Sequence, residues 1–155
     1  MEKEKGSSAG DCGEILIRPF EKKDLKDVYK IIEETFFRPW SVEEILLENI
    51  FSHKIVLDIN GKVVGFLFGE IIFEEGNILM IAVDKSFQGK GFGKKLLNHF
   101  IKKSKEKGAR NIFLEVSVKN EQAVSLYKKS GFKILYKRKK YYRNGDDAYI
   151  MVLEI

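Results

Sequence analysis

From Gln88 to Lys94 the chain reads Gln-Gly-Lys-Gly-Phe-Gly-Lys, after the short apolar run Ile81-Ala82-Val83 and ahead of an amphipathic stretch. This order predicts a strand, a glycine-rich turn and a helix that opens inside the turn. The first N–H groups of a helix lack intrahelical partners, and with the positive end of the helix dipole they make a site for a pyrophosphate. Lys90, Lys94 and Lys95 add positive charge beside it. A second constellation lies downstream, where Glu115 interrupts the apolar strand pattern Ile112-Phe-Leu-Glu-Val-Ser117. A carboxylate there must face solvent or have a partner, because an unpaired buried charge is costly. Facing a cofactor cleft, it would take a proton from an ammonium group, directly or through one water. Tyr127 follows within the helical segment 120–129. It reads either as a core tyrosine or as a phenol that protonates an anionic leaving group. Asn120 reads as an N-cap, as an amide contact to a cofactor, or as both.

Spacing narrows the cofactor. Counted from Gly89, the dinucleotide pattern of glycine at positions one, three and six fails at Lys94, and a lysine-rich segment replaces the ribose-binding acid expected about 20 residues on. Gly93-Lys94-Lys95 also lacks the hydroxyl with which a P-loop holds magnesium. What remains resembles the acetyl-CoA signature of the GNAT acetyltransferase superfamily, Gln/Arg-x-x-Gly-x-Gly/Ala. The resemblance extends further. Ile81-Ala-Val83, Gln88 to Lys94, Leu114-Glu-Val116, Asn120, Leu126-Tyr127 and Gly131-Phe132 are similar in spacing to the ribosomal-protein-alanine N-acetyltransferase (RimI-type) family and to archaeal N-terminal acetyltransferases. Pro39-Trp40-Ser41 and the segment from Lys140 to Met151, Lys-Tyr-Tyr-Arg-Asn-Gly-Asp-Asp-Ala-Tyr-Ile-Met, also resemble it. The likeness covers about residues 14–155; Lys85 stands where proline is frequent in that family.

The resemblance implies direct transfer of acetyl from acetyl-CoA to the free N-terminal amine of a protein, without an acyl-enzyme. Glu115 would be the general base and Tyr127 the acid that protonates the CoA thiolate. Ile81, Ala82 and Val83 would hold the thioester, with the Val83 N–H steadying the oxyanion. Gln88, Gly89, Lys90, Gly91, Phe92, Gly93, Lys94 and Asn120 would hold the rest of the cofactor. Trp40, Tyr141 and Tyr142 would flank the peptide, although surface tyrosines on a closing hairpin are an equal reading. The implied partner is a ribosomal protein or nascent chain whose first residue is small, such as Ala or Ser. An α-amine with a pKa near 7.7–8.0 costs roughly 3.5 kcal/mol less to deprotonate than a lysine amine at about 10.4, which favours N-termini. The residues leave alternatives: a GNAT enzyme acting on a small amine, a non-catalytic acetyl-CoA-binding module, or an RNA-binding protein. Cys12 as an acylated nucleophile has no histidine close to it in sequence.

The elements that must position these residues follow from pattern. Residues 1–13 are polar and rich in Gly and Ser, and read as a flexible tail. Residues 14–155 read as one domain. Ile15-Leu-Ile17 is a strand, and Asp24 opens a helix carrying Leu25, Val28, Ile31 and Ile32. Ser41 and Glu44 form a capping box for a second helix reaching about Ile50. Ile55 to Ile59, Asn60-Gly61 and Lys62 to Phe68 form a hairpin, and Ile78 to Val83 a further strand. A helix from Gly91 to Lys107 ends at Gly108. Asn111 to Ser117, Phe132 to Lys137 and Ala148 to Leu153 complete the strands. The expected fold is α/β of the GNAT type, a mixed central sheet of about seven strands with four flanking helices.

Composition agrees with a globular enzyme: 155 residues, 44% hydrophobic, net charge +5. No apolar run reaches the roughly 18 residues of a membrane span, so no membrane partner is expected. One cysteine and two histidines offer no metal cluster, and the lone thiol suits the cytoplasm. The lysines at 102, 103, 105 and 107 read as a solvated helix face, and no motif points to a specific nucleic acid.

Overall fold

Alternating apolar residues produce strands and apolar residues at three- and four-residue spacing produce helices, in the order the sequence predicts. A computed structural model describes residues 2–5, 13–36 and 38–155. The strands are β1 (Glu2–Lys5), β2 (Glu14–Pro19), β3 (Ser52–Ile59), β4 (Lys62–Ile72), β5 (Glu75–Val83), β6 (Asn111–Ser117), β7 (Lys133–Arg138) and β8 (Ala148–Glu154). The helices are α1 (Leu25–Thr35), α2 (Val42–Leu46), α3 (Phe92–Glu106) and α4 (Glu121–Lys129). The hydrogen-bonded strand order is β1-β2-β3-β4-β5-β6-β8-β7, with β5 and β6 parallel. This is the expected mixed sheet with four helices, joined by one further strand, β1, antiparallel to β2. Of the predicted tail, Glu2–Lys5 supply that strand; Met1 and residues 6–12, with Cys12 among them, lie outside the described residues. Among the described residues no helix is long and apolar enough to cross a membrane.

The chain forms two compact units, Met1–Phe68 with Met80–His99, and Gly69–Leu79 with Phe100–Ile155. In the first, Val28, Ile31 and Ile32 of α1 pack with Val56, Phe66 and Phe68. Asn60 and Gly61, at φ 53° and 91°, make the tight turn between β3 and β4 that the Asn-Gly pair predicts. Asp24 stands at the N-cap position of α1, as expected, but its carboxylate is used elsewhere. It ends a short 3-10 turn, Lys22–Asp24, and its side chain does not cap α1. Its two carboxylate oxygens instead accept from the Arg18 guanidinium, each at 2.8 Å, and Arg18 also donates to Asp58 at 3.2 Å. All three side chains are buried. The capping box at α2 forms as predicted, with Glu44 N–H donating to Ser41 Oγ at 3.2 Å and Ser41 N–H to Glu44 Oε1 at 3.1 Å. The helix nevertheless stops at Leu46 rather than near Ile50. Leu47 turns extended, and Lys54 Nζ takes the carbonyls of Ile45 and Leu47, both at 2.6 Å. A cation from β3 thus satisfies acceptors that a longer helix would have used itself.

In the second unit Ile112, Leu114 and Val116 of β6 are buried, which turns Phe113, Glu115 and Ser117 to the opposite side of the pleat. Strand β8 pairs along the whole of β6, with Glu115 opposite Ile150. The rungs between β5 and β6 end at Ile78 and Leu114, so from Leu79 onward that edge of β5 is left to other partners. Helix α3 needs glycine beneath it. A Cβ on Gly69 would sit 2.6 Å from Cε1 of Phe100 and 2.8 Å from the Asn77 carbonyl oxygen. The carbonyl belongs to backbone and cannot step aside, so Gly69→Ala is expected to cost about 1–3 kcal/mol in urea unfolding. An unchanged midpoint would show that the ring and strand have room to shift.

Candidate active site

The first unit carries the glycine-rich loop. Strand β5 delivers Ile81, Ala82 and Val83, of which Ala82 and Val83 are buried. Asp84 follows; its N–H donates to the Val64 carbonyl at 2.8 Å, and its side chain accepts from Ser86 N–H at 2.8 Å. These bonds set a short 3-10 turn, Lys85–Phe87, that aims the chain at α3. Gln88 closes the loop by donating from Nε2 to the Val83 carbonyl at 2.9 Å. Gly89 and Gly91 take φ of 80° and 85°, a region that residues with a Cβ rarely adopt. A Cβ built on either would meet nothing within 4 Å, so the loop faces open space. The helix ladder begins with Lys95 N–H donating to the Gly91 carbonyl at 3.1 Å. Helix geometry therefore leaves the N–H groups of Gly91, Phe92, Gly93 and Lys94 ahead of the first rung. With Lys94 exposed on the first turn, the loop suits a phosphate-bearing molecule, as the spacing predicts. Trp40 stands elsewhere in this unit, half-buried with its ring 6.0 Å from Phe68.

The second unit assembles the ionisable groups. Glu115 projects exposed from β6, with the Tyr141 phenol beside it. The carboxylate of Glu115, with partial burial, holds the Tyr141 phenol above its usual range. Tyr142 packs edge-on against Tyr141, ring centroids 5.1 Å apart. Burial first, and the charge of Glu115 next, push its phenol up to about 12. Tyr127 on α4 is 5% exposed, its ring 5.8 Å from Phe132. Burial, with Tyr142 nearby, raises its phenol well above 10. Its burial fits the reading of Tyr127 as a core tyrosine. Asn120 caps α4, its side chain accepting from Ala123 N–H at 3.2 Å.

Sequence reasoning missed what braces the two tyrosines. Lys119 Nζ pairs with Asp146 at 2.9 Å, and Asp147 accepts from Lys140 N–H at 2.9 Å. Val118 N–H donates to the Asp147 carbonyl at 3.0 Å and Tyr142 N–H to the Asp146 carbonyl at 3.1 Å. The segment between β7 and β8 is thereby fastened to the turn that follows β6. The Asn144-Gly145 pair marks a turn in the sequence, but nothing local assigns Asp146 to Lys119.

A raised phenol pKa fixes the sign of an alkaline effect. The folded state binds more protons than the unfolded chain once pH exceeds about 10, so stability present below that pH is lost as pH rises. Unfolding followed from about pH 9 to about pH 11 is expected to show this loss. The loss should shrink when Tyr127 and Tyr142 are both phenylalanine. Among the described residues no group of His, Cys, Asp and Glu side chains is placed to hold a metal ion.

Residues 25–132 match the model of the Acetyltransferase (GNAT) family. Over 144 residues the chain is 33% identical to the ribosomal protein bS18-alanine N-acetyltransferase of Escherichia coli (strain K12), covering 90% of this chain and 97% of that protein. The crystal structure of the ribosomal-protein-S18-alanine N-acetyltransferase from Escherichia coli matches with a TM-score of 0.85 at 32% identity, over 91% of this chain and 94% of the other. The crystal structure of Ard1 from Thermoplasma volcanium matches with a TM-score of 0.83 at 31% identity, over 91% and 97%.

Proposed function

The chain belongs to the acetyltransferase (GNAT) family, and on that premise we propose that it transfers acetyl from acetyl-CoA to the free N-terminal amine of proteins. The observation that carries this reading is the exposed Glu115 carboxylate beside Tyr141 and Tyr142, with the buried Tyr127 in the same unit. The name of the Escherichia coli relative adds support, since it is a ribosomal protein bS18-alanine N-acetyltransferase.

Acetyl-CoA supplies an activated thioester, and the residues of this chain do the rest. The N–H groups at the start of α3, with Lys94, take the pyrophosphate. Ile81, Ala82 and Val83 hold the acetyl arm, and the Val83 N–H faces the oxygen on which negative charge develops. Glu115 removes the proton from the incoming α-amine. Tyr127, protonated throughout the working range, gives a proton to the departing thiolate. Tyr141 and Tyr142, beside Glu115, flank the peptide; Trp40 is a peptide contact by the family resemblance alone. The substrate is a ribosomal protein or nascent chain beginning with a small residue such as Ala or Ser, which places the enzyme in the cytoplasm.

The test is release of CoA from acetyl-CoA with short peptides that differ in their first residue. Turnover of Ala- and Ser-initiated peptides, absent from N-blocked peptides that contain lysine, is the expected result. Equal turnover of peptides beginning with Ala, Glu and Leu would refute the small-residue preference alone. Acetyl-CoA binding without transfer to any free N-terminus would refute the reaction and leave a small-amine enzyme or a binding module.

A further inference from the structure

Strand β7 stands last in the hydrogen-bonded order and pairs with β8 alone. All six of its residues are exposed, and Ile134, Leu135 and Tyr136 are 39%, 54% and 50% accessible. Its surroundings are charged in one sense only. From Phe132 to Gly145 the chain carries Lys133, Lys137, Arg138, Lys139, Lys140 and Arg143 and no carboxylate. No ion pair among the described residues involves Lys133, Lys137, Lys139 or Lys140. The strand leads directly through Lys139-Lys140 to Tyr141 and Tyr142, the tyrosines grouped with Glu115.

We propose that the open edge of β7 receives an acidic, extended stretch of the substrate polypeptide, downstream of the N-terminus that is acetylated. This rests on the N-terminal reading above and adds a substrate class to it. An edge strand presents a row of backbone donors and acceptors that another extended backbone can complete. The exposed side chains of Ile134, Leu135 and Tyr136, at an irregularity in the pairing with β8, offer apolar contact, and the unpaired lysines favour carboxylates. A second copy of this chain fits badly. Antiparallel pairing of β7 with itself would set Lys133 near Arg138 and bring like charges across the ladder. An RNA strand would satisfy the lysines but has no backbone amides for the edge and no use for Ile134 and Leu135.

The experiment compares three peptides with the same first residues, followed by a neutral, a glutamate-rich or a lysine-rich segment, at saturating acetyl-CoA. At low salt the glutamate-rich peptide is expected to show a KM about tenfold below the neutral one, with kcat unchanged and the gap closing as salt rises. The double variant Lys133→Glu/Lys137→Glu should reverse that order while leaving kcat/KM for the neutral peptide unchanged. Equal KM for the neutral and acidic peptides, or an order that the double variant does not alter, overturns the proposal and leaves N-terminal acetylation standing. Competition by a single-stranded RNA oligonucleotide, with no preference among the peptides, reassigns the edge to nucleic acid and overturns it too. Failure of all three peptides to be acetylated overturns the N-terminal reading itself, and the substrate-docking role with it.

Discussion

Glu115→Gln is expected to lower kcat/KM for acetylation of an Ala-initiated peptide by about 10²–10⁴ at neutral pH. The amide keeps the shape of the carboxylate, so the loss isolates the missing base. Affinity for acetyl-CoA should stay the same, because the glycine-rich loop and α3 belong to other segments of the chain. The pH dependence gives a sharper check than the loss itself. An α-amine titrates near 7.7–8.0, so above that range solvent delivers it already deprotonated and the base has less to do. The deficit of the variant should therefore shrink as pH rises toward 9, roughly a unit above the amine pKa. Wild-type activity should not fall over the same range, since the Tyr127 phenol is held above 10 by burial. A variant within threefold of wild type, roughly half a kcal/mol, would remove Glu115 from the reaction.

Arg18→Met is expected to have the largest effect on stability. Asp24 and Asp58 are 3% and 9% exposed, and the guanidinium between them is their shared partner. Removing one partner of a buried ion pair leaves uncompensated charge and typically costs 3–5 kcal/mol, about what many domains have to spare. Burial alone would raise the Asp24 carboxyl, but the hydrogen bonds and charge of Arg18 outweigh it and hold the group below the usual carboxylate range. A depressed folded pKa stabilises above the unfolded value near 3.9, and that contribution is lost as pH falls through the folded value. In the variant, burial is opposed only by the Glu21 N–H and the charge of Lys23, and protonating Asp24 relieves it. The stability gap between the two proteins should thus narrow as pH drops below about 4. A gap that is small at pH 7, or constant down to acid pH, would show that water already solvates the cluster.

The glycine-rich loop was legible because its physics is local. Gly89 and Gly91 need positive φ, Gln88 reaches back only to Val83, and the helix begins where the amphipathic pattern does. The Asn60-Gly61 hairpin and the Ser41–Glu44 capping box are read the same way, from neighbours a few residues apart. The strands and helices of the sheet followed from periodicity, and their type and order were right.

What the sequence left open depends on residues brought together from far along the chain. Arg18, Asp24 and Asp58 span three separate elements, so Asp24 read as a helix opener although its carboxylate belongs to a buried arginine. Helix α2 is short because Lys54, on the following strand, takes its last carbonyls. The pattern of β6 allowed Glu115 to be a solvent-facing residue or a base. Only the fastening of the β7–β8 segment to Lys119 and Val118 sets Tyr141 and Tyr142 beside it. By itself the sequence determined the elements and the glycine-rich loop, because these rest on local geometry and period; Glu115 and Tyr127 became candidates through the family resemblance. Tertiary structure alone decided which charges pair, where α2 stops and which tyrosines stand beside Glu115, because such contacts depend on register and packing between segments that no local pattern encodes.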